Sequence, residues 1–282
     1  MVSGNQPVKA ITYISDLTLF WTVFSLPSKV ELAASEGCHR LCVAYLDAAW
    51  CLIQLIGFPS FTDEHRRLAL YAALFLPFRK LTYKDDKGRK TSVVNFIFKS
   101  SLKQKASDPE AIMKIHESVE KFLMLIPLLT SGEDAQLAEV DRGLEFINAP
   151  IISKLRVLTG FLLREIKDFW RVALLVSTML YPPEVDTTQD FLDEQFQPEK
   201  RRDLFMEVEG AIIKLGLDKV WDVKPIVNGK DIMGVLQLKS GGPLVREWQH
   251  KLLAWQLAYP KGTAEECLDW MRETHLKRAK IA

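Results

Sequence analysis

The sequence predicts an all-α protein, an elongated multi-helix body followed by a small helical tail. Three observations carry this expectation. Apolar residues return at three- and four-residue steps through almost every segment, the spacing that lines one face of a helix. Thr, Asp and Pro stand where helices begin and end. No run of alternating residues bounded by hairpin turns stands out, so no sheet is expected.

Taken in order, residues 8–24 read as an apolar helix or helix pair that ends at Pro27. Residues 39–57 form a second helix, with Leu41, Tyr45, Ala48, Leu52 and Leu55 on one stripe. The segment from Leu41 to Phe58 is about long enough to span a membrane, but Asp47 and Gln54 interrupt it. A central Asp costs roughly 2.5–3.5 kcal/mol on insertion, so the segment reads as a buried core helix and no membrane partner is expected. Thr62 caps a third helix, in which Leu68, Tyr71, Ala72 and Phe75 face inward until Pro77. Asp108 and Pro109 start a fourth, because proline is tolerated in the first turn. Ile112, Ile115, Val119, Phe122 and Ile126 mark its buried face, and Pro127 is expected to end or kink it. Further helices are expected at 135–148, 151–165, 168–181 and 189–216. Boundaries suggest themselves at the loop Tyr181–Thr188 and at the connection Trp221–Pro225.

The composition is that of an ordinary globular chain, 48% hydrophobic and 26% charged over 282 residues. A formal net charge of +1 points to no polyanionic partner by itself; only local clustering could. The four cysteines, Cys38, Cys42, Cys51 and Cys267, include no CxxC pair, and Cys38 and Cys42 share a helix face and read as a buried, reduced pair. A reducing, intracellular setting is therefore expected. The first residues lack the basic region, apolar core and small-residue cleavage site of a signal peptide.

Catalytic patterns are missing. Asp85–Asp86 is the tight acidic pair, but adjacent residues on an extended chain point to opposite sides, and the pair sits in a lysine-rich loop. The histidines, His39, His65, His116, His250 and His275, form no HxxxH or HExxH pair. There is no GxSxG, no GxxxxGK[ST] and no dinucleotide fingerprint, so no catalytic or metal-binding residue is assigned. Charge clusters instead between Arg79 and Lys105, where Arg79, Lys80, Lys84, Lys87, Arg89 and Lys90 lead a basic patch. Such a patch attracts phosphate, or is a solvated loop and a polar helix face.

After Pro225 the texture changes. Two glycine turns, "NGK" at 228–230 and "KSGGP" at 239–243, bracket one short apolar segment. Pro243 suits a first helical turn, and Leu244, Trp248, Leu252, Trp255 and Tyr259 follow as a buried stripe. Gly241 and Gly242 leave main-chain N–H groups uncovered at a helix start, beside Lys239, Ser240 and Arg246, and that is a setting for an anion. Gly229 and Lys230 repeat the arrangement. Two such turns around a short helix resemble the helix–hairpin–helix grip on a phosphate backbone, or are simply helix caps.

The run "DVKPIVNGKDIMGVLQLKSGGPLVREWQHKLLAWQLAYPKGTAEECLDW" resembles the tail of eukaryotic class II tRNA nucleotidyltransferases, the CCA-adding enzymes. Their pattern is K-P-x-V/I-x-G-K, an apolar helix, K-x-G-P, a helix with W-Q, and a P-x-G-T turn. Here Lys224, Pro225, Gly229, Lys230, Lys239, Pro243, Trp255, Gln256, Pro260, Gly262 and Thr263 occur in that order. Ser240-Gly241-Gly242 stands where the pattern has Pro-Gly, one residue longer. "PVKAITYISDLTLFWTVF" and "YAALFLPFRKLTYKDDKGRK" resemble the end of the neck and the body of plant-type members.

The resemblance implies residues 1–27 as the end of a neck, 28–220 as a body and 221–282 as a tail. It implies tRNA as partner, held by the backbone of its acceptor and T arms through Lys224, Gly229, Lys230, Lys239, Ser240, Gly241, Gly242 and Arg246. The family uses Mg²⁺ with CTP and ATP, but its G-G-x-x-R-D turn, D-x-D pair, R-R-D-F, E-D-x-x-R and E-R-x-x-x-E motifs do not occur here. This chain is therefore expected to hold no cofactor and to be inactive alone. Without a neck to cover them, Ile11, Leu17, Phe20, Trp21 and Phe24 are expected to form an exposed apolar surface that promotes self-association. The contrasting expectation is a helical protein-interaction module that does not bind RNA.

Overall fold

The structure is a computed structural model that describes residues 2–28, 30, 37–105, 107–130, 147, 149–182 and 196–279. The chain divides into two compact units: residues 1–126 with 168–210, and residues 127–167 with 211–282. The second unit takes in the expected tail together with residues 127–167 and 211–220, which the sequence reading placed in the body.

The first unit is helical, as expected. Helices α1 (Pro7–Asp16), α2 (Phe20–Val23), α3 (Cys38–Ile56) and α4 (Asp63–Leu74) build its core, and α3 packs against α1 and α4. The buried face of α3 is Cys42, Tyr45, Leu46, Ala49, Leu52 and Ile53, so the expected stripe is turned slightly: Leu55 is exposed and Leu41 only half-buried. Thr62 caps α4 as expected, its Oγ1 accepting the His65 N–H at 3.1 Å. Beyond its first turn α4 is buried on every face, from Leu68 to Leu74.

The apolar surface expected near the N-terminus does not form. Ile11, Phe20 and Phe24 are buried, and the Phe24 ring meets Phe75 edge-on at 5.4 Å. These side chains find cover within the unit itself, against α3 and the Phe75–Phe78 turn. Leu17 remains exposed, and Trp21 is half-buried against His39 and Phe78.

The loop after α4 holds the one departure from helix among the described residues. Strands β1 (Thr82–Lys84) and β2 (Lys90–Ser92) pair antiparallel, with Tyr83 opposite Thr91 and Lys84 opposite Lys90. Two three-residue strands are too short to show alternation, which is why the hairpin escaped the sequence reading. Its turn is legible afterwards. Gly88 takes φ +74°, a left-handed conformation that glycine adopts without penalty, and its N–H donates to Asp85 O at 2.8 Å. Asp85, half of the acidic pair, accepts the N–H groups of Lys87 at 2.9 Å and Arg89 at 2.8 Å.

Helix α5 (Val93–Phe96) leads on to α6 (Ser107–Thr130), which starts at the expected signal. Its Asp108 is buried and bridged to Arg67 at 2.5 Å. Pro127 does not end α6, which continues to Thr130. The next helices are α7 (Ile151–Ile166), α8 (Trp170–Leu180) and α9 (Pro198–Lys214). The helix expected at 135–148 falls almost wholly outside the described residues, as do residues 189–195 of the one expected at 189–216. Among the second unit's helices, α10 (Gly229–Leu236), α11 (Pro243–Ala258) and α12 (Ala264–Ala279) follow, and α11 packs against α7, α10 and α12. Helices α7 and α11 approach so closely that a Cβ at Gly160 would come 2.9 Å from Leu257 Cδ2.

Candidate nucleic-acid interface

The core beneath the two glycine turns is Val227, Ile232, Val245, Trp248, Leu252, Trp255, Cys267 and Met271. Helix α11 contributes four of these eight, Val245, Trp248, Leu252 and Trp255. Leu244, expected on the stripe, is 40% exposed and Tyr259 only half-buried, because the face turns toward Val245 at the first turn.

The 228–230 turn is closed. Asn228 is the N-cap of α10, and its side-chain oxygen accepts the N–H groups of Lys230 at 2.8 Å and Asp231 at 3.1 Å. Asp231 returns the bond, taking the Asn228 N–H at 3.3 Å. This reciprocal cap occupies the N–H groups of Lys230 and Asp231, and of the donors around Gly229 it leaves that of Gly229 itself. The pattern Asn-x-x-Asp could have revealed it.

The 239–243 turn is open. Gly242 is the N-cap of α11 and has no side chain to cap it, and Pro243 contributes no N–H. Among the described residues no bond is formed by the N–H groups of Gly241, Gly242 or Leu244, so the positive end of the helix faces outward. Lys239, Ser240, Gly241, Gly242 and Arg246 are all exposed here, and Gly241, Gly242, Val245 and Arg246 line one cleft of ≈ 630 Å³. Neither glycine has a positive φ and nothing lies within 4 Å of a Cβ at either. Their role in the fold is therefore slight; they leave the main chain bare.

Lys224 and Gly229 line a second groove of ≈ 590 Å³, with Asn228, Gln249, His250 and Gln256. Its wall is held by a residue whose role the sequence did not reveal. Gln256 Nε2 donates to Lys224 O at 3.1 Å, and Gln256 Oε1 accepts the Ile226 N–H at 3.2 Å. Next to it, Trp255 packs where a Cβ on Gly262 would lie 2.4 Å from its Cη2, so only glycine fits that turn. Thr263 then caps α12: its Oγ1 accepts the Glu266 N–H at 3.2 Å, and its own N–H donates to Glu266 Oε2 at 2.8 Å. Gln256, Gly262 and Thr263 thus serve the fold of this segment, with Lys224, Lys239 and Arg246 at its surface.

In the first unit the basic patch is thinner than its charge count. Arg79 and Lys80 both reach Glu120 Oε1, at 3.2 and 3.0 Å. Burial pushes the Glu120 carboxyl up, but these two cations hold it below the usual carboxylate range. Arg89 is paired with Asp85 at 2.8 Å, and the Arg89 N–H is the main reason Asp85 titrates below its ordinary value. Lys84, Lys87 and Lys90 remain exposed and unpaired among the described residues.

Comparison with known proteins finds two distant similarities, both to tRNA nucleotidyltransferases. The chain is similar to tRNA nucleotidyltransferase cca2 of Schizosaccharomyces pombe, 23% identical over 116 residues that cover 40% of this chain and 22% of that protein. It is also similar to the mitochondrial CCA tRNA nucleotidyltransferase of Saccharomyces cerevisiae, 24% identical over 189 residues, 66% of this chain and 29% of that protein. Each similarity spans less than a third of the relative's length. No protein-family model matches the chain, and no solved structure matches it.

Proposed function

We propose that this chain is the body-and-tail portion of a plant-type CCA-adding tRNA nucleotidyltransferase and that it holds tRNA by its phosphate backbone. The observation that carries the reading is the bare start of α11. Uncovered N–H groups at a helix N-terminus, flanked by Lys239, Ser240 and Arg246, suit a phosphate without reading a base. The similarity to two fungal CCA enzymes makes tRNA the natural source of that phosphate, and the acceptor and T arms the part gripped.

Mg²⁺ with CTP and ATP, which such enzymes use, does not fit the residues described. No group of three His, Cys, Asp or Glu side chains among them is placed to hold a metal ion. Asp85 of the adjacent acidic pair is committed to Arg89 and to its own turn. No step of nucleotide transfer is therefore assigned to the described residues, and the contribution proposed for them is to bind.

The test has two arms. The purified chain binds tRNA, with log affinity falling steeply against log salt as released counterions require; an apolar protein-interaction module would show no such slope. It also adds no labelled CMP or AMP to a tRNA lacking CCA, and incorporation by a contaminant-free preparation overturns the inactive assignment.

A further inference from the structure

The β1–β2 hairpin carries an unusual charge arrangement. Lys84 stands directly opposite Lys90 and Thr82 directly opposite Ser92, and period two puts all four side chains on one face. The other face holds Tyr83 and Thr91, with the Tyr83 ring edge-on to Phe96 at 5.5 Å, so the lysine face is the outer one. Ladder bonds run from Asp85 N to Arg89 O at 2.9 Å and from Val93 N to Leu81 O at 3.1 Å. Alternation therefore makes Lys84–Lys90 and Thr82–Ser92 the non-hydrogen-bonded pairs, whose Cα atoms come closest, about 4.5 Å apart.

Like charges directly opposite destabilise a ladder. A nearby carboxylate could relieve them, but Asp85 is taken by Arg89 and the turn, and the exposed Asp86 forms no ion pair with either lysine. Among the described residues neither Lys84 nor Lys90 has an ion pair, and the Thr82 and Ser92 hydroxyls are free of protein partners. The face therefore offers two ammonium groups and two hydroxyls. A charged edge also resists pairing with other strands, but one lysine at this rung would achieve that without the repulsion.

We propose that the outer face of this hairpin, Thr82, Lys84, Lys90 and Ser92, is a seat for the phosphate backbone of RNA, separate from the tail. An anionic oxygen between the two ammonium groups turns their repulsion into a shared charge-assisted contact. Two lysines on a strand pair reach the backbone without reading bases, so the contact is independent of sequence. The inference rests on the tRNA-binding reading in taking tRNA as its RNA.

The experiment measures tRNA affinity of the full chain across a salt series for the parent, K84Q, K90Q and K84E. K80Q, which removes an equal charge at a lysine ion-paired with Glu120 and outside the hairpin face, is the control for a long-range effect. Both Gln variants are expected to bind more weakly, each flattening the salt slope by about one. K84E is expected to bind weakest while melting no lower than the parent, because a Glu opposite Lys90 replaces repulsion by attraction. Lower affinity with equal or higher stability cannot come from a damaged fold. Unchanged affinity in K84Q and K90Q overturns the inference, as does an equal loss in K80Q. So does lysine-dependent binding to phosphatidylserine vesicles with tRNA binding untouched. If K239Q and R246Q lose affinity while the hairpin variants do not, the tail reading stands and this one falls. If the parent binds no tRNA, both fall.

Discussion

The side-chain amide of Gln256 closes on the main chain at Lys224, donating to its carbonyl at 3.1 Å while accepting the Ile226 N–H at 3.2 Å. One residue on α11 thereby fixes an extended segment about 30 positions earlier in the chain. That segment has no helix or ladder of its own between Val223 and Asn228, so Gln256 helps to order it, together with Arg164 Nη1, which donates to Val223 O at 2.7 Å, and the buried Val227.

Replacing Gln256 with Ala is expected to destabilise the second unit by about 0.5–1.5 kcal/mol per lost bond, at the low end because the site is exposed. Q256E keeps the acceptor and loses the donor, so it is expected to fall between parent and Q256A. Urea unfolding followed by Trp fluorescence reads both. Equal stability of all three would show that the amide bonds are not formed in solution.

The glycines of the tail separate by the same reasoning. G262A places a Cβ 2.4 Å from the Trp255 ring, and overpacking of this kind costs about 1–3 kcal/mol. At Gly242 the backbone is extended, φ −172°, and a Cβ meets nothing within 4 Å. G242A is therefore expected to fold as stably as the parent. A melting comparison in which G242A falls as far as G262A would contradict this geometry.

Much of this was legible in the sequence, and the failures share a cause. Thr62, Asp108 and Pro243 marked helix starts because capping chemistry is local. The inward face of α6 followed from spacing alone, since Ile112, Val119 and Phe122 are all buried, whereas α4 is buried all round beyond its first turn and has no single inward face. What spacing could not give was tertiary cover. Ile11, Phe20 and Phe24 looked unpartnered because their partners, α3 and Phe75, are remote in sequence. Charge was misjudged for the same reason: Arg79 and Lys80 are answered by Glu120, some 40 residues away. At the tail, glycine beside lysine gave two turns that looked alike, and only the side chain of Asn228 made them different.

The cysteines are expected to react in a definite order. A hydrogen bond from Cys42 is the main reason the half-exposed Cys38 thiol titrates below its ordinary value. Burial pushes Cys42 well up, raises Cys51, and takes Cys267 to about 12. Since the thiolate is the nucleophile, iodoacetamide at neutral pH should label Cys38 first, Cys51 more slowly, and the two buried thiols only on unfolding. Peptide mass mapping against time reads the order, and faster labelling at Cys267 would contradict it.

His116 sets a limit on acid stability of the first unit. It is buried, with Nε2 2.8 Å from Ala72 O, and burial lowers its pKa to about 4 despite that carbonyl. The folded state thus resists a proton that the unfolded chain accepts near 6.5. Stability from this group is complete above about 6.5 and is lost as pH falls toward 4, by about 3 kcal/mol in total. H116Q, which keeps a donor for Ala72 O, should flatten the dependence of the urea midpoint on pH over that window. An unchanged slope would place the acid sensitivity elsewhere.

The two tail turns are expected to differ in their service to RNA. At 228–230 the Asn228 side chain occupies the N–H groups of Lys230 and Asp231, so Lys230 stands beside donors already used. At 239–243 the donors are bare and Lys239 and Arg246 flank them. K239A and R246A should each weaken tRNA binding regardless of base sequence and flatten the salt slope by about one. K230A should change the slope far less. G242V adds a further variant, because a branched side chain at this position shields the neighbouring N–H groups. It is expected to lose affinity, and its melting temperature beside that of G242A separates shielding from a cost to the fold next to Pro243. If K230A costs as much as K239A, the reciprocal cap must open when RNA binds, and proton-exchange protection at Asp231 should then fall on adding tRNA. If neither lysine matters and G242V binds as the parent does, both turns serve the fold alone.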